Sequence, residues 1–546
     1  MTGLGFLLAV ATAVLDLETS PIKDQRDSTC RPDLGYAGCL TEVSLYNDGF
    51  TWAYGAGIKE TEKALVDCGA KLIRQWNALE EWQRGMAGRR DPKACFGLWK
   101  KLGIRILLTL ELHEVFTGKN LEKKTDDIEV VKKAVGRFVE WLVRNKFKDV
   151  VAGFELGNES YFGNYPEWYA GRCEAVIPEI LRVWPEAKIG IPIAEYRAGD
   201  PDLEQVRKRL GEKKMMAGGG EFEINRFNQW SGRFVTALSN QIDKVTHVIY
   251  HFYGADAPYG CSASGFARVH NFAKVYPQIA GKRVWITEWR ERSDEDIRCH
   301  QMFFSTLWKA HYMLLALAQP NVDGINQHSL ACYSGGLNIS MNCSQGAGAG
   351  WWSGFYFQSD PSQGYNFYRD PDGGAGKRRY QVGPAGPLYK MYTEALLDHP
   401  IIQEHGTLDG QGANASCWAS AHYYESANRQ RDVLNRGGAW KDVPPIRGNV
   451  EWIAALNPAK SSLAMLMVNT TDEPVELPLL VTQKSFGQVA KVRKLTCSPE
   501  LVYHHNIPGE NPLWMTDSYS LTSFSGSRGS INIPGGTILT VVVPLK

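Results

Sequence analysis

The stretch Val150-Val151-Ala152-Gly153-Phe154-Glu155-Leu156-Gly157-Asn158-Glu159-Ser160 decides the fold. Before it, Ile128, Val131, Val135, Phe138 and Leu142 step by three and four residues between Asp126 and Asn145, which makes one apolar helix face. A short apolar run directly after such a helix reads as a buried parallel strand. That run ends in Gly157-Asn158-Glu159, so an amide and a carboxyl stand side by side at the strand's C-terminal tip. In a (β/α)8 barrel those tips carry the chemistry.

Outward from this stretch the same alternation repeats. Upstream, Ile58 to Cys68 reads as a helix stopped by Gly69. Ala70 to Asn77 reads as a strand with Arg74 and Asn77 near its C-terminal end, Pro92 to Leu102 as a helix, and Ile104 to Leu112 as a strand. Downstream come a helix over Pro166 to Val183, a strand over Lys188 to Ile193, and helical material at 200–243 around Gly218–Gly220. Val245 to Tyr250 is a strand running into His251-Phe252-Tyr253, and Phe266 to Ala280 a helix. Arg283 to Trp289 is a strand with Glu288 at its tip, followed by a helix over Asp294 to Ala318 and a last strand, Val322 to His328. With one strand near 41–54 the count reaches eight, so the fold class is α/β, a (β/α)8 TIM barrel over residues 41–399. Residues 331–383 read as one long loop rich in Gly and aromatics, and Pro387 to His399 as a closing helix. The pattern then turns to alternating strands: Ala415 to Tyr424, Val450 to Leu456, Leu463 to Asn469, Val475 to Val481 and Thr537 to Pro544. These imply a C-terminal β-sandwich over 400–546, with residues 1–40 as an N-terminal segment.

A chain of 546 residues exceeds one ordinary core, in keeping with two domains. Its 44% hydrophobic and 22% charged content is that of a soluble globular protein, and a net charge of +1 gives no electrostatic case for nucleic acid or an anionic membrane. The apolar run Gly3 to Val14 is too short to span a bilayer. With small residues at Ala9, Ala11 and Ala13 it fits a signal-peptide core, which implies a secreted or periplasmic protein; as a first strand it leaves a cytoplasmic location open. The 11 cysteines are odd in number, and Cys30/Cys39 and Cys332/Cys343 are close enough in sequence to close small loops in an exported protein. Asn338, Asn342, Asn414 and Asn469 sit in glycosylation triplets.

Two strand-end glutamates, Glu159 and Glu288, are the paired carboxyls that glycoside hydrolysis with retention needs about 5–5.5 Å apart. Glu288 is expected to attack the anomeric carbon, and Glu159 to protonate the leaving oxygen and then activate water. The charge on one carboxylate keeps the other protonated. Asn158 is placed to bond the sugar 2-hydroxyl, Tyr253 to orient Glu288, and His251, Arg74 and Asn77 to line the pocket. Trp289 is a candidate sugar platform; the chain's 17 Trp, 23 Tyr and 21 Phe suit pyranose recognition. Glu155 reads as a barrel-interior, salt-bridged residue. No metal or cofactor is expected: His113-Glu114 is half of a zinc-protease motif, but position 117 is Thr. A catalytically silent carbohydrate-binding protein is the competing class; the presence of both carboxylates favours the enzyme.

Asn158-Glu159 ending the fourth strand, His251-Phe252-Tyr253 after the sixth and Glu288 ending the seventh resemble the glycoside hydrolases of clan A. The resemblance implies a retaining mechanism on a (β/α)8 barrel, with acid/base and nucleophile at Glu159 and Glu288. Glu155-Leu156-Gly157-Asn158-Glu159 is most similar to the heparanase and β-glucuronidase family (family 79). The helix Pro387-Leu388-Tyr389-Lys390-Met391-Tyr392 and the closing Ile533-Pro534-Gly535-Gly536-Thr537 resemble that family and the α-L-arabinofuranosidases. In both, N-terminal residues often give a strand to the sandwich, which implies that role for Ala11 to Leu17. Ser160 stands where Pro is usual, and the last barrel strand lacks the Trp common there.

Overall fold

The computed structural model describes residues 13–24, 33–37, 66, 69–89, 91–118, 121–162, 164–194, 230–253, 276–290, 303–328, 331–334, 349–353, 355–359, 366–369, 378–382, 385–408, 450–470, 474–487, 491–496 and 524–546. The barrel strands, in chain order, are Asp33–Ala37, Leu72–Gln75, Arg105–Leu110, Val151–Leu156, Ile189–Pro192, His247–Tyr253, Arg283–Arg290 and Val322–His328. Each pairs in parallel with the next, and the eighth closes on the first. Seven strands lie where the alternation predicts them. The first does not: it is Asp33–Ala37, within the segment expected to precede the barrel, while 41–54 lies outside the described residues. Asp-Leu-Gly-Tyr-Ala carries no apolar run, and its strand state comes from pairing with neighbours on both sides.

The helices form where an apolar stripe meets a capping residue. Asp91 accepts from the backbone N–H of Lys93 and Ala94 at the start of Pro92–Leu102, and Gly103, at φ 62°, ends that helix. Asp127 caps Ile128–Arg144, which buries Val131, Val135, Phe138 and Leu142 as its periodicity predicts. Pro166–Val183, Phe303–Ala318 and Ala385–Asp398 agree with the expected helices over their described parts. The helices expected at 58–68 and 266–280 fall largely outside the described residues. Residues 331–383, expected as a loop, instead contain short strands, among them Ala331–Ser334, Ala349–Ser353 and Arg378–Val382 in one sheet and Phe355–Ser359 with Asn366–Arg369 in another. Its aromatic content suits paired backbone better than open loop.

Inside the barrel, Leu72, Leu107, Ala152, Ile249 and Trp285 make a buried cluster of their own. The Trp285 indole fills it because two glycines leave room. A Cβ on Gly153 would lie 2.2 Å from Trp285 Cη2, and one on Gly190 would lie 2.5 Å from Ile249 Cδ1 and 3.0 Å from Trp285 Cε3. His247 stacks on the same indole, ring centroids 3.6 Å apart. Burial holds the His247 imidazole down to about 4, against the raising effect of Asp323. This plug closes the barrel below the C-terminal strand ends, so polar side chains one layer higher face a floor rather than a pore.

The sandwich has a four-strand sheet, Ala13–Leu15, Val475–Val481, Arg528–Ile533 and Phe524–Ser525, and a six-strand sheet, Lys23–Asp24, Ile401–Thr407, Val450–Leu456, Ser462–Asn469, Thr537–Pro544 and Lys491–Thr496. Within Ser462–Asn469, residues 463–468 are all apolar because the strand is covered twice. Leu463, Met465 and Met467 face the sandwich interior, and Ala464, Leu466 and Val468 join the barrel's core. Ala13–Leu15 pairs with Val475–Val481, so Ala13, a small residue expected to mark a cleavage site, is a sandwich residue. Asn469, expected as a glycan acceptor, is buried and donates its amide to the Ile533 carbonyl at 3.0 Å. Asn338, Asn342, Asn414, the Ala415–Tyr424 strand and the side chains of the Cys30/Cys39 and Cys332/Cys343 pairs lie outside the described residues. Among the described residues no helix is long and apolar enough to cross a membrane.

Candidate active site

The fourth strand sends Glu155 into the barrel and ends in a turn that only glycine permits. Gly157 has φ 91°, and a Cβ there would lie 1.9 Å from Tyr169 Oη. Its N–H donates to the Leu110 carbonyl, and the Asn158 N–H donates to Glu111 Oε1 at 2.9 Å. Glu159 then adopts φ 45°, a left-handed conformation costing a non-glycine residue on the order of 1 kcal/mol. Such strain persists only where the surroundings hold it, and it turns the Glu159 carboxyl back over the barrel mouth.

The seventh strand delivers its glutamate by a bulge. Tyr250 pairs with Ile286 but His251 with Glu288, and on the other side Ile286 and Trp289 flank a matching skip. The extra residue puts both Thr287 and Glu288 on the inner face and reverses the alternation beyond them.

Arg74 ties these strands together. Its Nε and Nη2 donate to the two oxygens of Glu155, each at 2.6 Å, its Nη1 to Glu288 Oε1 at 2.6 Å, and its Nη2 also to Asn158 Oδ1 at 2.7 Å. Thr109 and Thr287 hydroxyls add bonds to Glu155 at 3.0 and 3.3 Å. Burial alone raises the Glu155 carboxyl, but Arg74 and then His251 outweigh it and hold it below the usual carboxylate range. Burial works against the Arg74 guanidinium too, and Glu155 and Glu288 hold it above its ordinary value.

His251 lies between the two strand-end carboxylates. Its Nδ1 is 3.0 Å from Glu159 Oε1 and 3.6 Å from Glu288 Oε2, and its Nε2 is 3.0 Å from Thr287 Oγ1. Burial pushes the imidazole down, but the charges of Glu288, Glu155 and Glu159 lift it to about 9, so it is an imidazolium at neutral pH. A carboxylate oxygen of Glu159, a ring nitrogen of His251 and a carboxylate oxygen of Glu288 lie within 4.8 Å of one another. These three groups have the donor types and spacing to share a metal cation; the protonated imidazole is already a cation between the carboxylates. Glu288 is nearly enclosed, its side chain 5% exposed, and Glu159 at the rim is 25% exposed.

No protein-family model matches the sequence, and no curated protein matches it either. Solved structures do. An α-L-arabinofuranosidase from Thermotoga maritima in complex with arabinose superposes with a TM-score of 0.58 at 12% identity, covering 98% of this chain and 100% of that one. The fold is that of the barrel-and-sandwich glycosidases. A family 51 α-L-arabinofuranosidase from Bifidobacterium longum gives 0.56 at 12% identity over 97% and 99% of the two chains, and a glucosidase from Croceicoccus marinus gives 0.52 at 12% over 98% and 99%. Identity this low shows fold, and the chemistry has to come from the residues above.

Of the residues singled out by sequence, the structure brings Glu159, Glu288, Asn158, His251 and Arg74 into one cluster, with Glu155 as the salt-bridged interior residue expected. Asn77 stays outside it, exposed, left-handed at φ 47° and opening the helix Ala78–Arg84. Trp289 is no sugar platform. It is fully buried, stacked on Tyr312 of the outer helix with ring centroids 4.2 Å apart, because the bulge turns it outward. The Tyr253 backbone pairs with Arg290, and its side chain lies outside the described residues. Sequence reasoning missed Thr109, Thr287, Glu111 and Tyr161. Strand alternation from Leu107 points to Thr109 and on to Glu111; Thr287 depends on a bulge and Tyr161 on a turn, and neither leaves a pattern.

The electrostatics of His251 give a test by pH. Its folded-state value lies above the ordinary 6.5, so the folded protein binds that proton more tightly than the unfolded chain does. The stability advantage of the wild type over His251→Gln is therefore expected to be fully present below about pH 6.5 and lost as pH rises through about 9. Urea unfolding across that range measures it. A constant difference would remove His251 as the bridging cation.

Proposed function

We propose that the protein is a retaining glycosidase in which Glu288 is the nucleophile and Glu159 the acid/base. The observation that carries the reading is the Glu159–His251–Glu288 triangle at the C-terminal strand ends, one oxygen or ring nitrogen of each lying within 4.8 Å of the others. That closeness suits direct attack by one carboxylate, whereas an inverting pair about 6.5–9.5 Å apart leaves room for water. The roles follow from the surroundings. Arg74 fixes one oxygen of the enclosed Glu288 and leaves Oε2 toward His251, a geometry for attack. Glu159 stands at the open rim, where a leaving group departs and water arrives. Asn158 accepts from Arg74 through Oδ1, which fixes its side chain in the cluster and makes its amide N–H groups candidate donors to the sugar.

The described cations of the site are committed to the enzyme's own carboxylates: Arg74 to Glu155 and Glu288, His251 to Glu159 and Glu288. A uronic acid needs a further cation, so a neutral sugar suits these residues better. α-L-Arabinofuranosides come first and β-glucuronides, which the Glu155–Glu159 stretch suggested, second. The test is a panel of nitrophenyl glycosides (α-L-arabinofuranoside, β-glucoside, β-xyloside, β-galactoside, β-glucuronide), with the first-formed anomer read by NMR. Turnover of a neutral glycoside with net retention is the expected result. Inversion, or inertness toward both the panel and polysaccharides, would sink the reading.

A further inference from the structure

We infer that Tyr161 is a positioning residue that, with His251, reserves Oε2 of Glu159 as the oxygen that gives and later takes the proton. The inference deepens the glycosidase reading above and rests on it. Both neighbours bond the same oxygen: the Tyr161 hydroxyl donates to Glu159 Oε1 at 3.1 Å, and His251 Nδ1 lies 3.0 Å from that atom. The Thr287 hydroxyl donates to Glu155, so its oxygen accepts from His251 Nε2–H, and Nδ1–H of the imidazolium is left to donate to Glu159. Two donors fill the lone pairs of Oε1. They do so whether Glu159 is a carboxylate, where Oε1 is one of two equal oxygens, or a carboxylic acid, where Oε1 is the carbonyl. The acidic proton therefore sits on Oε2.

Tyr161 is held in this pose. It lies in the short turn Ser160–Phe162 directly after the left-handed Glu159, which folds residue 161 back onto residue 159. Its ring is buried edge-on against Trp230, centroids 6.0 Å apart at 77°, and the Trp230 N–H is itself anchored on the Asn164 carbonyl at 2.8 Å. In the first step the Oε2 proton passes to the glycosidic oxygen as the bond from that oxygen to the anomeric carbon breaks and Glu288 Oε2 bonds that carbon. In the second, water attacks the anomeric carbon, its proton returns to Glu159 Oε2, and Glu288 leaves as the carboxylate.

Tyr161→Phe removes the hydroxyl and keeps the ring against Trp230. For glycosides with poor, basic leaving groups, which need the acid, kcat/KM is expected to fall about 10- to 100-fold, the scale of one hydrogen bond to a charged group. For nitrophenyl glycosides, which need little protonation, it should change less than about threefold. An equal loss on both substrates, or none on either, overturns the proposal. A crystal of the Glu288→Gln variant with an intact glycoside reads the same point without altering Tyr161. The glycosidic oxygen should lie about 3 Å from Glu159 Oε2; contact with Oε1 overturns it. A wild type that turns over no glycoside defeats the glycosidase reading itself and is told apart by that control.

Discussion

Glu288→Gln is expected to lose glycosidase activity by about four orders of magnitude or more while folding normally. The proposed route runs through a bond between a Glu288 oxygen and the anomeric carbon, and an amide in its place forms no such bond. Removing a covalent nucleophile acts on this scale in enzymes whose machinery works as a unit. Folding survives because glutamine has nearly the volume of glutamate and Arg74 keeps two bonds to Glu155 at 2.6 Å. The variant also takes a negative charge out of a crowded set, where Glu155, Glu159 and Glu288 face Arg74 and His251. Glu159→Gln separates the roles. It removes proton transfer rather than attack, so the loss should be about 10²–10⁴-fold and larger for poor leaving groups. Steady-state rates on two aryl glycosides of different leaving ability measure both. Residual activity of the Glu288 variant above roughly one hundredth of wild type is too high for a lost nucleophile and would return that role to Glu155 or to water.

The two glutamates were legible because each sits near the C-terminal end of a short apolar strand, Glu288 within Arg283–Arg290 and Glu159 just past Val151–Leu156, and in a barrel those ends form the mouth. Arg74 and Asn158 were legible for the same reason. Trp289 was not. Alternation from the inward Trp285 puts residue 289 inside, and the unpaired Thr287 reverses that parity with nothing in the sequence to mark it. The first barrel strand escaped notice because Asp33–Ala37 has no periodicity and takes its conformation from the strands beside it. Four of the sandwich strands, in contrast, were found readily. Val450–Leu456 and Ser462–Asn469 are covered on both faces, so burial makes each mostly apolar, broken inside only by Glu451, which pairs with His311 and His405. Ile401–Thr407 and Arg528–Ile533, with polar residues on one side, were passed over.

Arg74→Met should cost about 3–5 kcal/mol of stability at neutral pH, because it takes from two buried carboxylates the cation that bonds both and leaves only His251, at 3.6–3.9 Å, to face them. The guanidinium is fully buried and makes four bonds of 2.6–2.7 Å to three partners. Methionine fills much of the volume, so a cavity is not the main cost. The pH dependence identifies the cause. In the wild type the Glu155 carboxyl is held below its ordinary range, so its contribution to stability is present above about pH 4.3 and is lost as pH falls through the lower folded value. Without Arg74, burial becomes the dominant influence and favours the protonated acid. The deficit of the variant should therefore be largest near neutrality and shrink on acidification, as the unpaired carboxyls take up protons. Urea unfolding of both proteins at about pH 7 and about pH 5 reads this directly. Adding Glu155→Gln to Arg74→Met should recover part of the loss, since it removes the charge that the missing cation had matched. A deficit that is small, or the same at both pH values, would mean that Arg74 holds these strands by packing, and the charge network at the barrel mouth would lose its assigned role in keeping Glu288 aimed.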